Sequence, residues 1–180
     1  MTAVGLLGPR RAMRVVERDA LSYARMWPAF VSGFVEPVLY LFSIGVGVGA
    51  LVGELPTPGG QTVSYELFVA PAMLATSAMN GTIFDTTFNF FFKYKYAHTF
   101  DGMLATPLGV GDVAWGELLW ALLRGLIYSG VFLLTMLALG LVESWWAVLA
   151  LPAAGLIGFA FAGAGLGLTT YMRSFTDFAY

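Results

Sequence analysis

Four apolar runs, each long enough to cross a lipid bilayer, dominate this sequence. A bilayer core about 30 Å thick requires roughly 20 apolar residues of α-helix, and residues 27–51, 68–92, 118–142 and 147–171 each form a run of that length. Hydrophobic residues make up 58% of the 180-residue chain and charged residues only 11%, against about 25% in an average soluble domain. Too few polar residues remain to cover a bundle of soluble helices. The sequence therefore predicts an all-α integral membrane protein with four transmembrane helices.

The placement of the basic residues predicts how these helices cross the membrane. Five arginines precede the first run, two lysines and one arginine flank or enter the connection between the second and third, and one arginine follows the fourth: Arg10, Arg11, Arg14, Arg18, Arg25, Lys93, Lys95, Arg124 and Arg173. The other two connections, 52–64 and 143–146, contain no lysine or arginine. The positive-inside rule then predicts that both termini and the connection 93–117 are cytoplasmic.

The segment before the first run has the pattern of an amphipathic helix. Apolar residues recur at helical spacing on one side and arginines fall on the opposing side, the apolar set being Met13, Val16, Ala20, Ala24 and Trp27 and the basic set Arg11, Arg14, Arg18 and Arg25. This pattern is typical of an interfacial helix lying along the cytoplasmic membrane face. A simple positively charged topology anchor is the alternative interpretation.

Polar residues inside the apolar runs are the candidates for a role in the membrane, because each is costly in hydrocarbon. Glu36 precedes Pro37 in the first run, and the second run carries a polar face made of Thr82, Asp85, Thr86 and Asn89 at i, i+3, i+4 and i+7. Glu36, Asp85 and Asn89 are therefore candidates to line a substrate path or to hold helices together, with simple interhelical hydrogen bonding as the alternative. Arg124, which shares a helix face with Glu117, is interpreted as reaching back to the cytoplasmic interface.

Glycines at a spacing of four predict close helix packing. Gly45 and Gly49 lie at the outer end of the first run, and Gly163 and Gly167 repeat the spacing in the fourth. Such spacing lets two helix backbones approach closely. It carries no chemistry of its own.

A short helix is predicted within the connection 93–117. Thr99 is a suitable N-cap, Asp101 falls in the favourable first turn, and Pro107 requires the helix to have ended. The expected helix spans residues 100–105, and a turn at Gly109, Gly111 and Asp112 leads to the next helix near Trp115. A helix between two membrane spans can carry motion to both, although an ordinary interfacial connector would have the same sequence pattern.

Two runs resemble the membrane subunit of type-2 ATP-binding-cassette exporters, most of all the nodulation-factor and daunorubicin-resistance permeases. They are EPVLYLFSIGVGVG (Glu36–Gly49) and KYKYAHTFDGMLATPLGVGDVAWGELLWALLRG (Lys93–Gly125). The resemblance implies one ABC-2 type transmembrane domain over residues 1–180, multi-pass in the inner (plasma) membrane. The family pattern has six spans, and residues 174–180 look like the approach to a fifth, so two spans are expected to be missing or supplied by another chain.

The resemblance also implies what this domain does. It would move an amphiphilic substrate, such as a lipo-oligosaccharide, a lipid or a lipophilic drug, out of the cell by alternating access. A second permease copy, in a homodimer or heterodimer, and a separate P-loop ATPase that binds ATP and Mg²⁺ would be its partners, and no nucleic acid is expected. The residues implied to couple to the ATPase are Thr99, Asp101, Leu104, Thr106 and Pro107.

The sequence itself fits a transport subunit without its own nucleotide site. It contains no GxxxxGK[ST] loop that could cradle phosphates. A membrane-embedded lipid-modifying enzyme or protease is a less favoured alternative, because the single histidine, His98, has only Asp101 nearby in sequence and the chain has no cysteine. No metal site or cofactor is expected in this chain. A non-transporting membrane scaffold remains the other alternative.

Overall fold

A computed structural model describes residues 9–56, 62–142 and 144–176, and most of these residues are helical. The helices are α1 Pro9–Arg25, α2 Trp27–Phe42, α3 Gly49–Val52, α4 Tyr65–Phe84, α5 Thr99–Leu104, α6 Val110–Ala138 and α7 Ala150–Tyr171. A π-helical turn, Ser43–Val48, joins α2 to α3, two more, Asp85–Asn89 and Phe92–Tyr96, prolong α4, and a 3₁₀ turn, Trp145–Leu149, leads into α7. Strands β1 Glu54–Pro56 and β2 Thr62–Ser64 form one antiparallel hairpin between α3 and α4, in which Leu55 is opposite Val63.

Among the described residues, three helices are long and apolar enough to cross a membrane. They are Tyr65–Tyr96, Val110–Ala138 and Trp145–Tyr171, and they correspond to the second, third and fourth predicted runs. The first predicted run falls on α2 and α3, where only the shorter stretch Val38–Val52 qualifies as an apolar helix. A fourth membrane span therefore stays a prediction.

The helix α6 begins earlier than the sequence pattern indicated. Gly109 is the extended residue before it, and the Asp112 carboxylate accepts a hydrogen bond from the Gly109 backbone N–H at 3.0 Å. This cap starts the helix at Val110, whereas the prediction placed a turn at Gly109, Gly111 and Asp112 and the helix start near Trp115. The connection between the two long helices is correspondingly short, and Lys93 lies inside the helical extension of α4.

The three long helices pack through small residues of α6 and α7 and threonines of α4. A Cβ on Gly125 would stand 2.7 Å from the Thr82 methyl group, and one on Gly158 would stand 3.1 Å from the same methyl group. One turn further along α4, a Cβ on Gly165 would stand 3.2 Å from Cβ of Thr86. In addition, the Thr169 hydroxyl donates to the Thr86 carbonyl at 3.0 Å. These contacts make α7 parallel to α4. Helix α6 is antiparallel to α4, because Arg124 contacts Asp85 while Phe132, further along α6, clusters with Leu74, earlier in α4.

The glycine pairs identified from spacing lie elsewhere. Gly163 and Gly167 have no described atom within 4 Å of where a Cβ would stand, so they face away from the other described helices. In α7 the close approach is instead made by Gly158 and Gly165, because these two are on the side turned to Thr82 and Thr86. Gly45 does face a neighbour, since its Cβ would stand 3.0 Å from the Glu66 side chain, and Gly49 lies 3.6 Å from the same residue.

Helix α1 runs lengthwise along the start of α6. A Cβ on Gly116 would stand 2.9 Å from the backbone oxygen of Ala12 and 2.8 Å from Cγ1 of Val15. Two turns later along α1, Tyr23 stacks at a tilt on Trp120 with ring centroids 5.2 Å apart. The buried face of α1 is Ala12, Val15, Val16 and Asp19, whereas Met13, Ala20 and Ala24 of the predicted membrane-facing set are exposed. The helix thus has a bundle-facing side that the alternation of apolar and basic residues did not reveal.

Candidate functional site

The short helix α5 lies between α4 and α6, and its start differs from the prediction. It spans Thr99–Leu104, so Thr99 is its first helical residue and the cap position belongs to His98. His98 has the left-handed backbone conformation (φ 47°), which is rare for a residue with a side chain. This conformation turns the chain sharply after the π-helical turn that ends at Tyr96, and it is what sets the direction of α5. The helix ends at Leu104, before Pro107, as predicted.

Two apolar side chains anchor α5 to the bundle. Phe100 and Met103 are buried one turn apart and share a hydrophobic cluster with one residue from each of three other helices. Those residues are Val15 of α1, Phe90 at the end of α4 and Val113 of α6. We call this cluster the α5 seat. Because it joins four helices at one point, a displacement of α5 acts on all of them.

The opposite side of α5 is exposed and carries the residues implied to contact an ATPase. Asp101 is exposed and lies 3.0 Å from Nδ1 of His98, which is also exposed. Leu104, Thr106 and Pro107 are exposed as well, and Thr99 is half-buried. The five candidates therefore lie on or beside one accessible surface, with Thr99 closest to the bundle.

Next to the α5 seat, three charged side chains from three helices meet in a buried position. The ammonium group of Lys93 donates to Asp19 Oδ2 at 2.9 Å and to Glu117 Oε2 at 2.7 Å. The side chains of Asp19 and Glu117 are 1% and 4% exposed, and that of Lys93 is 16% exposed. We call Asp19, Lys93 and Glu117 the ion triad. It ties α1 to the last turns of the α4 extension and to the first turns of α6.

Two turns further into the bundle, a second polar group surrounds the guanidinium of Arg124. Its Nη1 donates to Asp85 Oδ1 at 2.5 Å and to the Tyr23 hydroxyl at 2.8 Å. Nε and Nη2 donate to the Tyr128 hydroxyl at 3.0 and 2.8 Å. Asn89 donates to the Tyr23 hydroxyl at 2.6 Å and also to Asp85. We call Tyr23, Asp85, Asn89, Arg124 and Tyr128 the Arg124 cluster.

The Arg124 cluster changes the interpretation of its central residue. The Arg124 side chain is buried and makes an ion pair with Asp85, so it does not reach back to the interface as the sequence interpretation had it. A charged pair out of water survives only when its hydrogen-bonding groups are matched. Tyr23 contributes to this match, because burial, followed by the nearby Asp85 carboxylate, raises the pKa of its hydroxyl and keeps the proton in place.

Two of the three predicted site residues in the membrane runs, Asp85 and Asn89, can now be located. Asp85 and Asn89 face α1 and α6 within the Arg124 cluster, where they bridge helices. The side chain of Glu36 lies outside the described part of the structure, although its backbone belongs to α2. The assignment of these residues to a substrate path stays a prediction.

Both polar groups lie beside π-helical turns of α4. Asp85 and Asn89 are the first and last residues of one such turn, and Lys93 is in the second, Phe92–Tyr96. A π-helical turn holds one more residue than an α-helical turn and is common at functional positions. It lets α4 direct Thr86 to α7 while Asp85 and Asn89 point to α1 and α6.

Sequence reasoning missed Asp19 and Tyr23 as members of these groups. The available signal was the spacing of Val15, Asp19 and Tyr23, which recur every four residues and so share one face of α1. An acid on the same face as buried apolar residues in an otherwise basic helix indicates a buried partner of opposite charge. Within the described ranges, no group of three or more histidine, cysteine, aspartate or glutamate residues could hold a metal ion.

Comparison with known proteins adds the family context. The model of the family described as ABC-2 type transporter matches residues 11–180. Nodulation protein J of Rhizobium leguminosarum bv. trifolii is 37% identical over 81% of this chain and 53% of its own length. Nodulation protein J of Sinorhizobium fredii is 33% identical over 96% of this chain and 64% of its own length. The chain thus spans about half to two-thirds of the length of these curated relatives. No solved structure matches it.

Proposed function

Since the chain belongs to the ABC-2 type transporter family, we propose that it acts as the membrane permease part of an ATP-binding-cassette exporter, powered by a separate ATPase. The single observation that carries this proposal is the design of α5. Phe100 and Met103 fix the helix in a seat shared with α1, α4 and α6, while Asp101 and Leu104 face outward. A helix whose one side packs in the bundle and whose other side is exposed is suited to transmit the movement of a soluble partner that binds to it.

We propose that this movement is transmitted from α5 into the bundle. Movement of α5 reaches the α5 seat first, then the ion triad, and then the Arg124 cluster. Glu117 and Arg124 are seven residues apart on α6, which corresponds to about 10 Å along a helix. We propose that the helices around these groups rearrange together during alternating access, with nucleotide bound only by the partner.

The membrane arrangement that we propose has the α5 end in the cytoplasm. The hairpin β1–β2 and the turn at Ser144 then face outward, and α2 with α3 provides an additional span. The absence of lysine and arginine from 52–64 and 143–146 supports this orientation. The exposed apolar residues Met13, Ala20 and Ala24 of α1 would contact lipid, with the arginines of α1 toward headgroups and cytoplasm.

The substrate class and the assembly are part of the same proposal. We propose an amphiphilic substrate, as the resemblance to nodulation-factor and drug-resistance permeases suggests, and a second permease copy across the transport path. Asp85, Asn89 and Glu36 are the candidates to border the path.

The test of the proposed function replaces the two outward-facing α5 residues together. The double variant Asp101→Ala/Leu104→Ala is expected to lose co-purification with the P-loop ATPase, since both side chains are exposed and their removal leaves the α5 seat intact. Membrane insertion and the amount of protein are expected to stay unchanged. Quantitative pull-down of an epitope-tagged chain with the ATPase measures the association.

A matched control lies at the opposite end of the helix bundle from α5. Leu51 and Glu54 are also an exposed leucine and an exposed acid, so Leu51→Ala/Glu54→Ala makes the same chemical change away from α5. This control should retain the ATPase. Retention of the ATPase by the α5 double variant would contradict the assignment of α5 as the docking element.

A further inference from the structure

We infer that Asp19, Lys93 and Glu117 are positioning residues that make α1 move as one body with the α5 end of α4, an inference that rests on the proposed function. In the ion triad, one lysine pairs with two carboxylates, and the three side chains come from three different helices. Asp19 comes from α1, Lys93 from the α4 extension and Glu117 from α6.

The position of Lys93 in the chain is the first argument. Only four residues separate it from His98, whose left-handed backbone turns the chain into α5. A displacement of α5 therefore reaches Lys93 through a short stretch of chain as well as through the α5 seat. Because the ammonium group binds two carboxylates, it transmits the displacement to α1 and α6 at once.

Burial makes this connection strong. Asp19 and Glu117 are almost fully excluded from solvent, so neither carboxylate has water to replace the lysine, although Asp19 also accepts a hydrogen bond from its neighbour Arg18 at 2.9 Å. Separating Lys93 from Glu117 leaves an uncompensated buried charge, which is strongly unfavourable, and separating Lys93 from Asp19 costs the buried carboxylate one of its two cationic partners. The triad is thus costly to separate while the helices slide or tilt, in contrast to the exposed pair Arg14–Glu17 on the same helix.

The geometry of α1 gives the triad its mechanical meaning. Val15, Asp19 and Tyr23 follow one another along one face of α1 and contact the α5 seat, the ion triad and the Arg124 cluster in that order. Helix α1 therefore spans all three groups. With Asp19 bound to Lys93, α1 forms a strut between α5 and Arg124.

The test removes only the ion pair between Asp19 of α1 and Lys93, which we call the α1 arm of the triad. The variant Asp19→Ala removes that arm and leaves Lys93 and Glu117 as a balanced pair, so no single buried charge is created. The chain has no cysteine, so spin labels can be attached at Ser22→Cys on α1 and Gly102→Cys on α5. Both positions are exposed, and no atom of the described neighbours lies within 4 Å of a Cβ at Gly102.

Pulsed electron paramagnetic resonance on the membrane-reconstituted chain then measures the distance between the labels. We expect a narrow distribution for the unaltered triad and for the control Glu17→Ala, and a broad one for Asp19→Ala. Replacing Lys93 by arginine, which keeps the charge and can bind both carboxylates, should preserve the narrow distribution. A distribution for Asp19→Ala as narrow as that of Glu17→Ala would overturn the inference.

A second measurement separates this inference from the proposed function. In complex with the ATPase and in the full transporter, Asp19→Ala should keep the ATPase bound but lose export and the coupling of ATP hydrolysis to substrate. Failure of every form of the chain to bind an ATPase would refute the proposed function, while the distance measurement would still decide the role of the triad. Unchanged export by Asp19→Ala would refute the coupling role.

Discussion

At the scale of single residues, the buried ion pair of Arg124 and Asp85 is an interaction that one substitution can disrupt strongly. Arg124 places three nitrogens on three partners, and Asp85 also accepts from Tyr23 and Asn89. Oδ2 of Asp85 has no described protein partner. A buried pair of this kind contributes modestly as a whole but responds strongly to the loss of one member, because the remaining charge stays out of water.

We therefore expect Asp85→Asn and Arg124→Met to destabilise the protein separately, each by about 3–5 kcal/mol. The double variant Asp85→Asn/Arg124→Met should recover much of that loss, since it leaves no charge behind. Thermal unfolding of the detergent-solubilised chain, followed by fluorescence, measures the effect. The exposed pair Arg14–Glu17 offers the control, because Arg14→Gln should change the free energy of unfolding by less than about 1 kcal/mol. Equal stability of the single and double variants would argue against a coupled pair.

At the scale of elements, the packing of α1 on α6 depends on the absence of a side chain at Gly116. The Ala12 carbonyl and the Val15 side chain occupy the place where a Cβ would be. The carbonyl belongs to the backbone of α1, so it cannot move aside without moving the helix. Helix α1 consequently sits closer to α6 than side chains normally permit.

We expect Gly116→Ala to push α1 away from α6 and to destabilise the protein, in spite of the higher helix propensity of alanine. Gly130 is the matched control on the same helix, because a Cβ there would have no atom of another described residue within 4 Å outside its own stretch of helix. Gly130→Ala should be neutral or stabilise by up to about 1 kcal/mol. Thermal unfolding of both variants and limited proteolysis near Arg25 would report the difference. A neutral Gly116→Ala would mean that α1 can settle elsewhere at no cost.

Local sequence patterns predicted the helices far better than they predicted which side chains of different helices contact one another. The apolar runs indicated the long helices, and Pro107 indicated that α5 must end before it. The start of α5 was missed because Thr99 and His98 are adjacent and only the backbone decides which of them precedes the first turn. The partners of Lys93 and Arg124 lie on α1 and on other helices, so periodicity along one helix could not identify them. The spacing of Gly163 and Gly167 indicated packing, but spacing alone does not say which side of α7 faces the bundle.

At the scale of the whole molecule, the two ends of the bundle differ in character. The α5 end holds the ion triad, the exposed acid Asp101 and basic residues of α1, while the hairpin end carries exposed aromatic residues, Trp145 and Trp146, and no lysine or arginine in 52–56 or 62–64. The exposed face of α7 is apolar, with Leu156 and Leu168 uncovered. This distribution matches a protein surrounded by lipid and directed across it.

The orientation can be tested with two single cysteines in the natural cysteine-free background. Glu54→Cys lies in the hairpin and Gly102→Cys in α5, and both positions are exposed. We expect a membrane-impermeant maleimide to label Glu54→Cys in intact cells and Gly102→Cys only in inverted vesicles. Comparable protein levels for the two variants serve as the control. Labelling of both from the same side would rule out the proposed crossing of Tyr65–Tyr96.

The π-helical turns of α4 determine the direction of the side chains that follow them. Each of them adds a residue, and one residue corresponds to about 100° of rotation around a helix. If the turn Asp85–Asn89 became ordinary α-helix with its residue count unchanged, everything beyond it, Lys93 included, would rotate by roughly that angle relative to Asp85. The charges would all still be present, yet the lysine would point away from Asp19 and Glu117. The π-helical geometry between Asp85 and Lys93 is therefore as much a part of the site as the identities of its side chains.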